Sequence, residues 1–592
     1  MEMTKAAERK SSWALLVKLA RPYRGMAVAA LVLLLCDICG MLFIPTELSA
    51  LMNAAIEGAG TPELIHHGTA MLLASVIGSG GCVASYWIAS RFAANVGRDL
   101  RVAVYKKSLD LSGAEFAQIG TGSMITRTLS DANVVQQTLL MSFVMLAPFP
   151  VTCVVAIVLA YSTDAVMGQL LLLVTAVILA ISALAIKKSA PIFLRLQGFI
   201  DRMNARLREA ITGTRVIRAF GKEEHAKKRL DETFEDYARN AIRVNFIFAI
   251  TDATCFCFMN FVEFAIFWLG ADRVGAHAMQ IGSISALVQY AILILWFSMM
   301  AQFALLQMPR AMACMARAQE VLTAVPAIQD PVTPEELDGT DVQDVASFDH
   351  ASFRFADASE DTLKDMDFTI PRGAVTAIIG NTGSGKSTIA KLLLRFHDVT
   401  EGKAEFLGHD IRNIRQKDLR SRIAYVPQTA WLFSGTIAEN LRDGAPEATL
   451  DELWRALELA QAADFVRGKD RGLDAVVEAG GKNFSGGQRQ RLAIARALTR
   501  KADLYIFDDS FSALDYKTDA ALRHALSHEL SDAAVLIIAQ RVSTIRDAAK
   551  IVVLKDGEIS GIGTHDELME SCQDYRDIVE SQERGGGADA AR

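Results

Sequence analysis

The nine residues Gly380-Asn381-Thr382-Gly383-Ser384-Gly385-Lys386-Ser387-Thr388 follow directly on the apolar run Val375-Thr376-Ala377-Ile378-Ile379. A buried strand feeding a glycine-rich loop that opens a helix, in the pattern G-x-x-x-x-G-K-S, is a device for holding phosphate. Its glycines let backbone N–H groups approach phosphate oxygens, and the helix N-terminus adds a favourable dipole. Lys386 is placed to reach the β- and γ-phosphates, and Ser387 to take a position on Mg²⁺. The chemistry implied is binding of ATP or GTP together with magnesium.

The elements around this loop are of two kinds. A chain of 592 residues exceeds one core, and 51% hydrophobic against 22% charged residues points to a membrane-embedded part. The net charge of −7 gives no footing for nucleic acid. Between Met26 and Met308 the apolar runs read as six spans, at 26–52, 64–96, 136–161, 165–186, 244–272 and 282–308. Pro45, Pro148 and Pro150 are expected to kink or end helical stretches. Gaps after the second and fourth spans are long and basic, from Arg98 to Arg127 and from Lys187 to Arg218, whereas the short gaps hold only Arg273. The positive-inside rule therefore puts the long loops and both termini in the cytoplasm of a multi-pass cell-membrane protein. Charged residues reach Arg24 without a cleavage site beyond, so no cleaved leader is expected.

Within the long loops, Met203, Leu207, Ala210 and Ile211 keep helical spacing, so the helices are expected to run on as stalks. Cys36-x-x-Cys39 reads as a pair of small residues in a span rather than a metal site, since no second ligand pair accompanies it. Glu47, Asp252, Glu263 and Gln302 interrupt the spans. Such groups serve interhelical hydrogen bonding or line a polar path, with Glu263 and Gln302 the candidates for a path. After Met308 the prolines Pro326, Pro331 and Pro334 mark a linker, beyond which short β-rich runs alternate with helical stretches. The organisation expected is a transmembrane domain over 1–325, a linker over 326–345, an α/β nucleotide-binding domain over 346–580 and a flexible tail over 581–592.

Companion motifs make the resemblance specific. Phe484-Ser485-Gly486-Gly487-Gln488 followed by Arg489-Gln490-Arg491 resembles the signature of ATP-binding cassette (ABC) proteins, with Phe in place of Leu. Tyr425-Val426-Pro427-Gln428 looks like the Q-loop and Ser512-Ala513-Leu514-Asp515 like the D-loop. Leu504 to Asp508 looks like the Walker B strand, and Phe355 sits where the family stacks adenine on an aromatic ring. Arg101–Arg127 and Glu209–Phe220 resemble the two intracellular loops of ABC exporters. The resemblance implies a six-span half-transporter fused to a P-loop domain. It also implies ATP and Mg²⁺ as ligands, with Asp508, Ser387 and Gln428 around the metal. Ser485, Gly486, Gly487 and Gln488 would close in trans on the nucleotide of a second half-transporter.

Two positions depart from the family pattern. An active site follows the magnesium-binding Asp with Glu, which orients and deprotonates the attacking water. Here Asp509 is one methylene shorter, and Gln540 replaces the His that would contact the γ-phosphate. A carboxylate withdrawn by about 1 Å can cost on the order of 10²-fold in rate, and Gln cannot carry a proton. Val477-Glu478-Ala479-Gly480-Gly481-Lys482 also differs from the usual T-E-V-G-E-R-G before the signature. Set beside an intact signature, these changes resemble the degenerate-site subunit of a heterodimeric exporter of amphipathic, drug-like or lipid compounds. Siderophore or other uptake by the same fold, a slow homodimer, and an ATP-gated channel subunit are the alternatives.

Overall fold

A computed structural model describes residues 12–337 and 342–589. The chain divides into two compact units, Met1–Val325 and Pro326–Arg592.

Among the described residues, six helices of the first unit are long and apolar enough to cross a membrane: Ser12–Ile56, Thr61–Asp110, Thr121–Thr163, Ala165–Ser189, Glu223–Gly275 and Ile281–Thr323. They overshoot the bilayer. The 50 residues of Thr61–Asp110 extend about 75 Å at about 1.5 Å per residue, against a hydrocarbon core of about 30 Å. The excess forms the stalks expected from the sequence, and each long loop carries a short helix, Gly113–Ile119 and Thr214–Ala219. Pro45 lies within a continuous helix, Arg24–Ile56, rather than ending one, while Pro148 opens Pro148–Thr163 behind a π-helical turn at Ser142–Leu146.

The spans pack closely where side chains are smallest. A Cβ placed on Gly40 would lie 2.9 Å from the Ala74 carbonyl and 3.1 Å from Gly78 Cα, and one on Gly81 would lie 3.1 Å from the Leu33 carbonyl. Ser85 closes the same seam by donating its hydroxyl to the Ala30 carbonyl at 2.8 Å. Arg273, the one basic residue of the short gaps, grips Asp164 with Nε at 3.0 Å and Nη2 at 2.7 Å. Its presence there answers the buried carboxylate that caps the fourth span at Val166 and Met167. In the stalks, Arg317 holds the buried Asp131 through Nε at 2.8 Å and Nη2 at 2.6 Å, and Arg127 reaches Glu320 and the Arg317 carbonyl. Among the polar span residues, Glu47 pairs with His67 at 2.7 Å, and buried Gln302 keeps an amide nitrogen without a hydrogen-bond partner among the described residues.

The second unit is α/β. Its strands are β1 (Asp344–Phe353), β2 (Leu363–Pro371), β3 (Val375–Gly380), β4 (Glu401–Phe406), β5 (His409–Asp410), β6 (Ile423–Val426), β7 (Gly435–Thr436), β8 (Val476–Val477), β9 (Leu504–Asp508), β10 (Ala534–Ile538), β11 (Lys550–Lys555) and β12 (Glu558–Gly563). One antiparallel sheet runs β2-β1-β4-β5, and the central sheet runs β12-β11-β3-β10-β9-β6. In the central sheet β11, β3, β10, β9 and β6 are parallel. Their near-continuous apolar sequences follow from burial on both faces.

The segment read as a linker begins with Pro326 and packs on this unit: Glu335 bridges Ile414, and Arg395 donates to the Gln329 carbonyl. Residues 338–341 of that linker lie outside the described residues. At the C-terminus the segment read as a tail continues a helix, Gln573–Asp589, whose Tyr575 and Val579 enter the core; residues 590–592 lie outside the described residues.

Candidate nucleotide site

The sheet order explains how distant motifs meet. β3, β10 and β9 are neighbours in register, with Ile378 opposite Ile538 and Ile538 opposite Asp508. Val426 of β6 lies opposite Phe507. Because all four strands are parallel, their carboxyl ends emerge on one edge, where α/β sheets bind ligands. That edge therefore carries Gly380–Thr388, Gln540, Asp508 with Asp509, and Gln428, each within two residues of a strand end or in the loop directly following.

The glycine loop is shaped by close approach. Gly383 and Gly385 have φ of +90° and +93°, in the left-handed region. A Cβ on Gly385 would lie 2.6 Å from Leu363 Cδ2, and one on Gly380 would lie 2.1 Å from the Leu554 carbonyl. The helix Lys386–Leu393 follows. Asn381, Thr382 and Gly383 are exposed at the rim, Lys386 and Thr388 are buried, and Ser384 is buried with a hydroxyl lacking a partner among the described residues. Lys386 Nζ donates to the Gly380 and Asn381 carbonyls, both at 2.7 Å. Burial pulls the Lys386 ammonium below its ordinary range, and the Asp509 and Asp508 charges oppose that. An orphaned hydroxyl, a buried ammonium satisfied only by its own loop, and glycines with no room for side chains fit a bound phosphate chain.

The acidic side is equally local. Ser387 donates its hydroxyl to Asp508 Oδ1 at 2.8 Å, and Tyr425 donates to Oδ2 at 3.4 Å. Asp508 is buried, and burial raises its carboxyl above the usual range; the Ser387 and Tyr425 hydrogen bonds counter part of that rise. A buried carboxylate next to a serine hydroxyl is the donor set expected for Mg²⁺. Asp509 comes next in the left-handed region at φ +46°, a conformation Asp tolerates better than most non-glycine residues. Its amide donates to the Ile538 carbonyl at 2.8 Å, tying it to β10. Its carboxylate oxygen Oδ2 accepts from Gln428 Nε2 at 3.1 Å and from Gln540 Nε2 at 3.0 Å.

Other expected residues lie nearby or apart. Phe355 forms an edge-to-face aromatic group with Phe353, ring centroids 4.8 Å apart, and with His397 at 5.3 Å. This turn returns through Thr362, whose amide donates to the Phe353 carbonyl and whose own carbonyl lies 2.9 Å from where a Gly385 Cβ would sit. Ser485, Gly486, Gly487 and Gln488 open a separate helix, Gly486–Leu498. Ser485 caps it, accepting from the Gln488 amide at 3.3 Å while the Gln488 side chain accepts from the Ser485 amide at 3.2 Å. Ser485 and Gly486 are exposed, so this helix N-terminus faces outward.

Three supports escaped the sequence reading. Asn440, buried, accepts from the Phe433 amide and donates to the Phe433 and Thr436 carbonyls, fixing the segment after Gln428. Ser510 donates to the Val426 carbonyl at 3.0 Å, tying β6 to the turn after Asp509. Gln582 bonds the backbone of Gln540 and Val542. Nothing local in the sequence signals any of the three, since each joins a side chain to backbone that only the fold brings near.

Known proteins resemble the chain along its length. The family description "ABC transporter transmembrane region" matches residues 27–299, and "ABC transporter" matches residues 363–512. An uncharacterized ABC transporter ATP-binding protein of Mycobacterium bovis is 35% identical over 96% of this chain and 98% of its own length. A fatty acid ABC transporter ATP-binding/permease protein of the same organism is 30% identical over 76% of this chain and 70% of its own. The structure of a bacterial Atm1-family ABC exporter with ATP bound matches with a TM-score of 0.80 at 23% identity, covering 94% of this chain and 98% of that one.

Proposed function

Since the chain belongs to the ABC transporters, as a half-transporter with the exporter fold, we propose that it is the degenerate-site subunit of a heterodimer that exports an amphipathic compound. ATP would be held by Gly380–Thr388 with the adenine against Phe355, and Ser387, Asp508 and Gln428 would hold Mg²⁺. Bound there, the metal would supply charge neutralisation at the phosphates. Lys386 leaves its two loop carbonyls to meet phosphate, and Ser485–Gln488 offers its helix N-terminus to the nucleotide of the partner. The basic long loops and the nucleotide-binding unit lie in the cytoplasm.

The observation that carries this reading is the convergence of Gln428 and Gln540 on one oxygen of Asp509. A general base must reach the attacking water and accept its proton. Asp509 is one methylene short, and one of its oxygens is already engaged by two amides that cannot relay a proton. Such a site favours retention of ATP over hydrolysis. The intact signature then serves a competent site whose catalytic residues belong to the partner. The fatty-acid relative supports an amphipathic cargo.

The test is ATPase activity of the purified chain alone and after co-expression with a second half-transporter. Little activity alone and restored activity together is expected, and robust turnover by the chain as a homodimer rejects the scheme. In the heterodimer, Gly487→Asp should abolish turnover while Asp509→Ala reduces it less; equal collapse argues for two equivalent sites.

A further inference from the structure

We propose that Gln582 is a positioning residue of the ATP site, its side-chain amide clamping the backbone on both sides of Arg541 and so setting where Gln540 points. The inference rests on ATP binding at Gly380–Thr388 and is independent of whether the partner is unlike. Gln582 Nε2 donates to the Gln540 carbonyl at 2.7 Å, and the Val542 amide donates to Gln582 Oε1 at 2.8 Å. One primary amide thus satisfies an acceptor and a donor two residues apart, a closed pairing that fixes the intervening peptide planes.

The clamp is needed at this place because the sheet stops holding the chain there. Ala539 is the last residue bonded across to β3, its amide donating to the Ile378 carbonyl at 3.0 Å. Beyond it, the Thr544 amide donates to the Arg541 carbonyl at 3.2 Å, and the Arg541 guanidinium lies 5.6 Å from the Tyr516 ring centre. Neither contact touches the backbone of Gln540. Its carbonyl is held by Gln582, while its side chain holds Asp509 at 3.0 Å.

The base of the clamp is anchored. Tyr575 and Val579 precede Gln582 at helical spacing and are buried in the core. The Tyr575 hydroxyl pairs with His565 Nδ1 at 2.8 Å, and Asp574 accepts from Lys555 of β11 at 2.6 Å and from Ser560 of β12. Motion of the C-terminal helix Gln573–Asp589 is therefore transmitted to the Gln540 backbone through two hydrogen bonds. The C-terminal helix Gln573–Asp589 thereby becomes part of the site, although it lies far along the chain from the glycine loop.

Packing and hydrogen bonding separate with Gln582→Met, which keeps length and shape but neither bond, and Gln582→Glu, which keeps only the acceptor for Val542. Amide exchange of the nucleotide-free, full-length chain in nanodiscs should accelerate about tenfold across 540–545 in Gln582→Met and remain unchanged in β3. Dwell time of a fluorescent ATP analogue should shorten several-fold in both variants, with melting temperatures close to wild type. Unchanged exchange across 540–545 overturns the clamp. A lowered melting temperature with unchanged dwell time overturns the positioning role and leaves a structural tie. A wild-type chain that holds no ATP analogue rejects the nucleotide reading, and the exchange arm still decides the clamp.

Discussion

Gln540 Nε2 lies 3.0 Å from Asp509 Oδ2, and Gln428 Nε2 lies 3.1 Å from the same oxygen. Two neutral donors from two different strand ends thus converge on a carboxylate that is itself turned into the left-handed region. Both donors are neutral amides, which can hold the Asp509 carboxylate in place but cannot take up a proton from it.

Restoring reach and proton capacity should restore turnover. Asp509→Glu with Gln540→His is expected to raise steady-state ATPase of the chain by on the order of 10²-fold, with nucleotide affinity little changed. Phosphate release under saturating Mg-ATP measures it, and the single variants should each fall short of the pair.

Asp508 gives a pH prediction. Burial holds its carboxyl above the ordinary range, so the folded, nucleotide-free chain gains from the protonated form. That gain is complete below the range of an exposed Asp and is lost as pH rises through the elevated value. Above that value the fold carries a buried charge, so Asp508→Asn should raise the melting temperature at the alkaline end, and the difference should shrink on acidification. In the wild type, Mg²⁺-dependent ATP binding should weaken on acidification at a higher pH than an ordinary Asp would give. Thermal melts and binding titrations across pH check both.

Arg317→Ala strands the Asp131 carboxylate, whose side chain is 4% exposed. A buried charge left unpaired costs about 3 kcal/mol or more, so the variant should melt well below wild type in detergent. Adding Asp131→Ala should recover part of the loss, and failure to recover would mean the pair contributes through packing alone.

Asn440→Ala removes three hydrogen bonds to the backbone of Phe433 and Thr436. Leaving those groups unsatisfied should cost about 2–3 kcal/mol, read by denaturant unfolding. Because the segment follows Gln428, affinity for Mg-ATP should fall alongside stability.

The glycine loop, the signature and the six spans were legible because each is written locally, as spacing of residue types within a few turns, whereas the two long loops were placed only by family likeness. The meeting of Gly380, Gln428, Asp508 and Gln540 was legible only through family likeness, since the parallel register of β6, β9, β10 and β3 is a property of the sheet. Arg273 was visible as an exception among the short gaps but not as the partner of Asp164, 109 positions away. Gln582 was hidden for a similar reason, lying within what read as a flexible tail. A glutamine on a helix carries no sign of which backbone it will meet.

The glycine seam between the first two spans bears on what the membrane half can carry. Where Gly40 meets Ala74 and Gly78, and Gly81 meets Leu33, main chain rests on main chain with no side chain between. A flexible acyl tail slips between helices by pushing aside leucines and phenylalanines, which yield by changing rotamer. At these contacts there is no rotamer to change, so this seam resists being wedged open where the two backbones touch.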